Sequence, residues 1–342
     1  RLMHRSEITI DLGALRRNVR TLLRALDGAG LWAVVKADAY GHGAVDVAGA
    51  ALGAGASALC VSTIPEGLAL RSEYRTERII VLGPAGSNRE VAHARDASLE
   101  LAISDAEIPE GVRVHMKLDT GMGRYGLAEL PSPAAEVVGL MSHLATADSD
   151  AEFARAQIER FRVATEQYSH LTRHVANSAG ALRLPESHFD AARCGVALYG
   201  LSPFNTDPAA DGLEPVLSWH TSLAQVKLLQ PGQSTGYGRR FIAETPTWIG
   251  IVPVGYADGF RRDLTGTEIR VAGEPRRVVG TVSMDSFAVE LDRELPVGAP
   301  VVIIGQGVLA EAHARVAGTI NYELTCGIET DPLRARRTVV DG

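Results

Sequence analysis

From residue 30 to residue 196 the chain alternates short apolar runs with longer amphipathic stretches, and this rhythm restricts its fold more than any other feature. The apolar runs fall at 32–36, 58–62, 79–82, 99–103, 112–118, 137–143, 173–176 and 192–196. Between them lie stretches with helical spacing, such as 44–52 and 151–170. A parallel strand pair needs a long crossover, usually a helix, so the alternation predicts a parallel sheet. Strands that are apolar throughout suit a sheet covered on both faces. Eight such units predict a (β/α)8 barrel of the TIM type, with an open doubly wound sheet as the runner-up.

The texture changes after "LYGLSPFNTDPAADGLEP", whose Pro, Asp and Gly content reads as a linker. Beyond it, β-rich runs are broken by turns, as in "TWIGIVPVGYADG" and "EIRVAGEPRRVVGTV". The expected organisation is a barrel over residues 8–215, then a mostly antiparallel β domain over 216–342 that closes with one helix near 310–320.

With 46% hydrophobic and 22% charged residues, the chain can fill a core of its own. A formal net charge of −7 without clustered Lys or Arg excludes non-specific binding to nucleic acid or an anionic membrane surface. No run approaches the roughly 20 apolar residues of a membrane span, and no secretory signal is visible. Cys60, Cys194 and Cys326 are far apart and odd in number, without the spacing of a disulfide framework or a zinc site. The expectation is a cytoplasmic protein with reduced thiols and no metal centre.

On a barrel, the polar residues gather at one rim. Lys36 ends the first strand, Lys117 lies near the end of the fifth, and His143 ends the sixth. Asn177 and Ser178 follow the seventh, while Arg193 and Gly195 fall on the eighth. Catalytic groups of such barrels sit at the C-terminal strand ends. Strand ends are also polar merely because they meet solvent, but five strands donating complementary groups to one rim is harder to explain so. A lysine emerging from an apolar strand loses hydration, which lowers its pKa and makes the amine nucleophilic towards carbonyls. Spacing fits a snorkelling surface lysine equally well. "ANSAG" reads as a helix start capped by Asn177 or Ser178, and Gly195 lets backbone amides approach an anion. Together with Tyr40 they could hold one phosphate monoester. Lys117, Asp119 and Arg124 read as a salt-bridge cluster or as part of a site. His143 and Asp148 share a loop, where a hydrogen-bonded pair would orient the imidazole. Tyr237, Tyr256 and Asp285 lie in Gly-rich turns of the β domain.

The segments "AVVKADAYGHGA", "VHMKLDTGMGRYG", "SHLATAD", "ANSAG", "RCGVALYGLSP", "STGYG", "GYADGF" and "VSMDSF" occur in the order found in the alanine racemases. The chain resembles that family over about residues 7–330. The resemblance implies a barrel that binds pyridoxal 5'-phosphate (PLP), a C-terminal β domain and a homodimer with shared active sites. It implies that the N-terminal strand within residues 1–10 joins the β domain. Lys36 matches the lysine that holds PLP covalently, and Tyr237 matches the partner-subunit tyrosine on the opposite face. The implied reaction interconverts L- and D-alanine with two bases, supplying D-alanine for peptidoglycan. Tyr40, Ser178, Gly195 and Val196 match the phosphate cradle. His143 matches a residue stacked on the cofactor, and Arg193 the donor to its pyridine nitrogen. Arg124, Met284 and Asp285 match residues near the substrate carboxylate, and Tyr256 an entrance residue. Lys117 matches a lysine carbamylated in many relatives.

One position departs from the pattern. Many relatives carry a tyrosine near the C-terminus that touches the phosphate, whereas "TCGIETDPLRAR" offers Thr330. A wider pocket would follow, which brings serine or a broader amino-acid range into play. A PLP-dependent decarboxylase and a non-catalytic PLP carrier are the other readings. The second base at Tyr237 speaks against the carrier.

Overall fold

The chain enters through strand β1 (Glu7–Asp11) and then builds a closed barrel in the computed structural model, which describes residues 5–342. The barrel strands are β2 (Gly30–Val34), β3 (Ala58–Val61), β4 (Ile79–Val81), β5 (Glu100–Ile103), β6 (Val114–Lys117), β7 (Val137–Met141), β8 (Thr172–His174) and β9 (Ala191–Cys194). Each pairs in parallel with its successor, and β9 returns to β2. Strands β3, β4, β6 and β9 are buried at every position, as a sheet covered on both faces requires. The eight apolar runs of the sequence are these eight strands, so the closed barrel displaces the open sheet.

Several strands end earlier than expected; β9, for one, stops at Cys194, so Gly195 lies just beyond the strand and not on it. β2 stops at Val34, because residues 37–40 turn left-handed and Lys36 belongs to that turn. β7 stops at Met141, leaving His143 two residues beyond it.

A second, mostly antiparallel unit is built on a nine-stranded sheet. Its order runs Gln225–Leu229, Thr247–Val252, Phe287–Leu291, Glu274–Val279, Glu268–Val271, Pro300–Ile304, Leu217–Ser222, β1 and Arg336–Val340. β1 alternates half-buried and buried residues, the signature of a strand with one face on a core. It pairs antiparallel with Leu217–Ser222 and parallel with Arg336–Val340. The part of the N-terminal stretch within residues 1–4 lies outside the described residues. The single helix expected at 310–320 is two, Ala310–Ala317 and Asn321–Cys326. Gly318 ends the first with a left-handed φ of 65°, a conformation that glycine adopts without steric cost. The closing element is the strand Arg336–Val340, not a helix.

By internal contacts the described residues divide into one unit of Leu15–Phe204 with Asp211–Glu214, and another of residues 5–14, Asn205–Ala210 and Pro215–Gly342. Among the described residues, no helix is long and apolar enough to cross a membrane.

Candidate active site

Lys36 leaves the barrel on an unusual piece of backbone. Ala37, Asp38 and Ala39 have φ/ψ near 52/52°, 50/46° and 54/51°, and Tyr40 follows with φ 56°, so these four residues make one turn of left-handed helix. Each such L-residue costs about 1–2 kcal/mol. The turn is held from several sides. Glu66 accepts from the Ala37 amide at 2.8 Å, and Asp38 accepts from the Ala44 amide at 2.8 Å. Tyr40 packs on Tyr199 with ring centroids 4.9 Å apart, and Tyr199 stacks on His42 at 4.5 Å. The Tyr199 hydroxyl donates to the Val34 carbonyl at 2.6 Å, which ties the stack to β2. Lys36 itself is half-buried at the mouth of this turn.

A polar cradle lies beside it. Ser178 Oγ accepts from the amides of Gly195 (3.1 Å) and Ala197 (3.3 Å). A Cβ on Gly195 would stand 2.3 Å from the Tyr40 hydroxyl, so only glycine lets Tyr40 close on this loop. The cap of the helix Ser178–Arg183 is Asn177, whose Oδ1 accepts from Gly180 N at 3.0 Å. Two hydroxyls and the amides after β9 therefore share one small space, which fits the acceptor-rich phosphate of PLP.

Arg193 is buried, and its donors can be counted. Nη1 donates to His174 Nδ1 (2.6 Å) and His174 O (3.0 Å). Nη2 donates to Ser142 O (2.7 Å) and His143 Nδ1 (3.1 Å). The Nε–H has no partner among the described residues. An unspent donor on a buried guanidinium fits the ring nitrogen of PLP. Burial pulls the Arg193 pKa down to about 10. The expected His143–Asp148 pair does not form: Arg193 supplies the hydrogen to His143, and Asp148 instead accepts from Ser149 Oγ at 3.2 Å. A guanidinium held on β9 reaches the ring, whereas the carboxylate nearer in sequence is turned to Ser149.

Positive charge converges on His143. Burial first, then the charges of Arg193, Lys117, Arg124 and Lys36, hold its pKa well below the usual range. The ring is therefore neutral, accepting at Nδ1 and protonated at Nε2. Lys117 is only 5% exposed. Burial, then Arg193, Arg124 and Lys36, lower its pKa to about 8 against the opposing pull of Asp119. Of the two readings of Lys117, Asp119 and Arg124, the salt-bridge cluster does not form among the described residues. Asp119 instead accepts from the amides of Gly121 (2.9 Å) and Gly123 (3.1 Å), shaping the loop that carries Arg124. Lys117 and Arg124 lie 5.6 and 5.8 Å from the centre of the Tyr125 ring.

In the β unit, Tyr237 and Tyr256 line a cavity of about 430 Å³ with Arg262, Thr281, Val282 and Ser283. Tyr237 is 75% exposed, and Tyr256 and Met284 are also exposed. Thr281 Oγ1 donates to the Tyr237 carbonyl at 2.8 Å. Tyr256 N and Ala257 N donate to the carbonyls of Ser283 and Met284 at 3.0 Å, which joins these two turns. Asp285 accepts from Arg334 (2.8 Å) and Arg5 (3.3 Å). These two hydrogen bonds and charges hold its carboxyl below the ordinary range. The same two arginines reach the buried Asp258, Arg5 at 2.7 Å and Arg334 at 2.9 Å. Thr330 is half-buried beside Glu329, whose amide donates to the Asp258 carbonyl at 3.1 Å.

Sequence reasoning passed over Arg5, Asp258, Arg334, Glu100, His115 and His174. A charged or imidazole side chain inside a predicted barrel strand, as in "VHMK", was the available signal for the last three.

The description "Alanine racemase, N-terminal domain" matches residues 10–203, and "Alanine racemase, C-terminal domain" matches residues 216–337. The chain is 40% identical to alanine racemase 1 of Bacillus subtilis, over 94% of this chain and 90% of that one. It is 39% identical to the alanine racemase of Symbiobacterium thermophilum, over 93% of each. Among solved structures, alanine racemase from D-cycloserine producing Streptomyces lavendulae superposes with a TM-score of 0.90 at 35% identity, covering 100% of this chain and 98% of that one. That of Streptomyces coelicolor A3(2) gives 0.89 at 37% identity, covering 98% of each.

Proposed function

This chain belongs to the alanine racemase family, and from that premise we propose that it interconverts L- and D-alanine as a cytoplasmic, PLP-dependent homodimer that supplies D-alanine for peptidoglycan. The observation that carries this reading is the convergence of Lys36, Lys117, Arg124 and Arg193 on one neutral imidazole at the barrel rim. Such a rim suits a bound phosphate and a substrate carboxylate.

PLP bound there would supply the electron sink that acidifies the substrate Cα–H. The chain's own residues do the rest. Tyr40, Ser178 and the backbone at Gly195 and Val196 would hold the phosphate. The free Nε–H of Arg193 would hold the ring nitrogen as an acceptor, since a guanidinium keeps its proton. His143, neutral and fixed by Arg193, would pack against the ring. Inversion requires a proton to leave one face of Cα and return on the other. The Lys36 amine would serve one face and the phenol of Tyr237 of the partner subunit the other. The exposure of Tyr237, Tyr256 and Met284 supports a partner surface there. Arg124, with Met284 and Asp285 of the partner subunit, would receive the substrate carboxylate, and Tyr256 would stand at the entrance. A carbamate on Lys117 would turn a poorly solvated cation into an anion able to fix Arg124.

The test incubates each alanine enantiomer with protein and PLP in deuterated water. Racemisation with deuterium entering Cα is expected. Tyr237→Phe should keep PLP and lose most turnover, whereas equal turnover in that variant would overturn the two-base assignment. Carbon dioxide release would favour a decarboxylase instead. Serine in the same assay measures the breadth expected from Thr330, and a kcat/KM strongly favouring alanine would close that reading.

A further inference from the structure

The interior of the barrel carries a polar column in place of the bulky branched side chains usual there. Glu100 opens β5 at the N-terminal end of the barrel. Its Oε2 lies 2.8 Å from His115 Nε2, whose Nδ1 lies 2.8 Å from His174 Nε2. His174 Nδ1 lies 2.6 Å from Arg193 Nη1, and Arg193 also holds His143 at the rim. Arg78 and Arg113 approach Glu100 from outside at 2.8 and 3.1 Å. Trp32 seals the side of the column, its ring 4.4 Å from His174 and 5.7 Å from His115 between centroids.

The direction of every hydrogen follows from one fact: a guanidinium only donates. His174 must therefore accept at Nδ1 and, being neutral, carry its hydrogen on Nε2. His115 then accepts at Nδ1 and donates from Nε2 to Glu100. Both rings are buried, and burial holds both pKa values below the usual range, His174 well below it. For Glu100, burial acts to raise the pKa, but the hydrogen bond from neutral His115, with the charge and hydrogen bond of Arg78, outweighs it and keeps the carboxylate ionised. A carboxylate at one end of the barrel and a guanidinium at the other thus set the tautomers of both imidazoles between them.

We propose that Glu100 is a positioning residue for the reaction, acting through His115 and His174 to hold Arg193 in one orientation with its Nε–H left for the cofactor. The link to catalysis rests on the proposed PLP-dependent racemisation; the hydrogen-bond chain does not.

Two measurements test it. In wild-type protein with 15N-labelled histidine, His115 and His174 should each show a protonated Nε2 and an unprotonated Nδ1, unchanged between about pH 6 and 9. A hydrogen on either Nδ1, or titration in that range, would overturn the chain whatever the protein catalyses. In the holoenzyme, Glu100→Gln keeps the size and removes the charge. It should lower kcat about tenfold to a hundredfold, as loss of an outer-shell partner commonly does, with KM nearly constant. It should also shift the absorbance of bound PLP, and Glu100→Asp should restore part of both. Wild-type kcat and spectrum in Glu100→Gln, with only a lower Tm, would overturn the proposal and leave the racemase reading standing. Absence of racemisation by the wild type would overturn that reading and, with it, the catalytic role of Glu100.

Discussion

A methyl group on Gly139 would lie 2.1 Å from Nδ1 of His115, the atom that faces His174 across 2.8 Å. Strand β7 therefore makes room for the polar column by carrying no side chain at this point. Gly139→Ala should displace the imidazole and cost about 2–4 kcal/mol, combining overpacking with a broken buried hydrogen bond. Urea denaturation checks it; a loss under about 0.5 kcal/mol, the range of ordinary surface changes, would show that the ring has slack.

The left-handed turn after Lys36 gives the opposite sign. Ala37 is exposed, so its substitution tests backbone conformation alone. Ala37→Gly should leave stability unchanged or raise it by up to about 1 kcal/mol, since relief of the left-handed cost exceeds or equals the extra chain entropy of glycine. Ala37→Val should lower it, because a β-branched side chain is poorly accommodated at positive φ. Thermal melts of the pair report the difference.

Lys117 predicts a pH dependence. Its folded pKa of about 8 lies below the ordinary 10.5, so between these values the unfolded chain binds more protons than the folded one. In carbon dioxide-free buffer, this group makes wild-type stability rise with pH from 8 to 10.5 and contributes a constant penalty below 8. Lys117→Met should therefore be more stable than wild type below pH 8, and the gain should shrink as the pH approaches 10.5. Chemical denaturation across that range decides it. A gain independent of pH would point to packing instead.

Asp258 is the buried partner of two arginines that are about one-third exposed, and it also accepts from Gly255 N at 2.9 Å. Asp258→Asn should cost about 2–3 kcal/mol, below the usual value for breaking a fully buried pair because solvent partly screens both guanidinium groups. The turn bearing Tyr256 should loosen with it. Faster amide exchange at residues 255–260 would show this directly.

Much of the fold was legible from local pattern. The eight barrel strands, the change of texture after the linker and the gathering of Lys36, Lys117, His143, Ser178 and Arg193 at strand ends all follow from the spacing of apolar residues along the chain. Partner choice was less legible. Asp148 is five residues from His143 and looked like its partner, yet Arg193, 50 residues away, donates to the ring. Asp119 sits two residues from Lys117, but backbone amides of its own loop take its oxygens.

By itself the sequence determined the periodicity of burial, because a strand or helix buries residues at a repeat that can be counted without knowing its neighbours. It also determined which strand ends bear reactive groups. Only the tertiary structure decided that His115 and His174, 59 residues apart, would share a hydrogen, and that the column would run from Glu100 to Arg193. Closing the barrel brings strands distant in sequence to hydrogen-bonding distance inside a space closed to bulk solvent. There each donor must take whichever acceptor the geometry supplies, and chain distance carries no information about that choice.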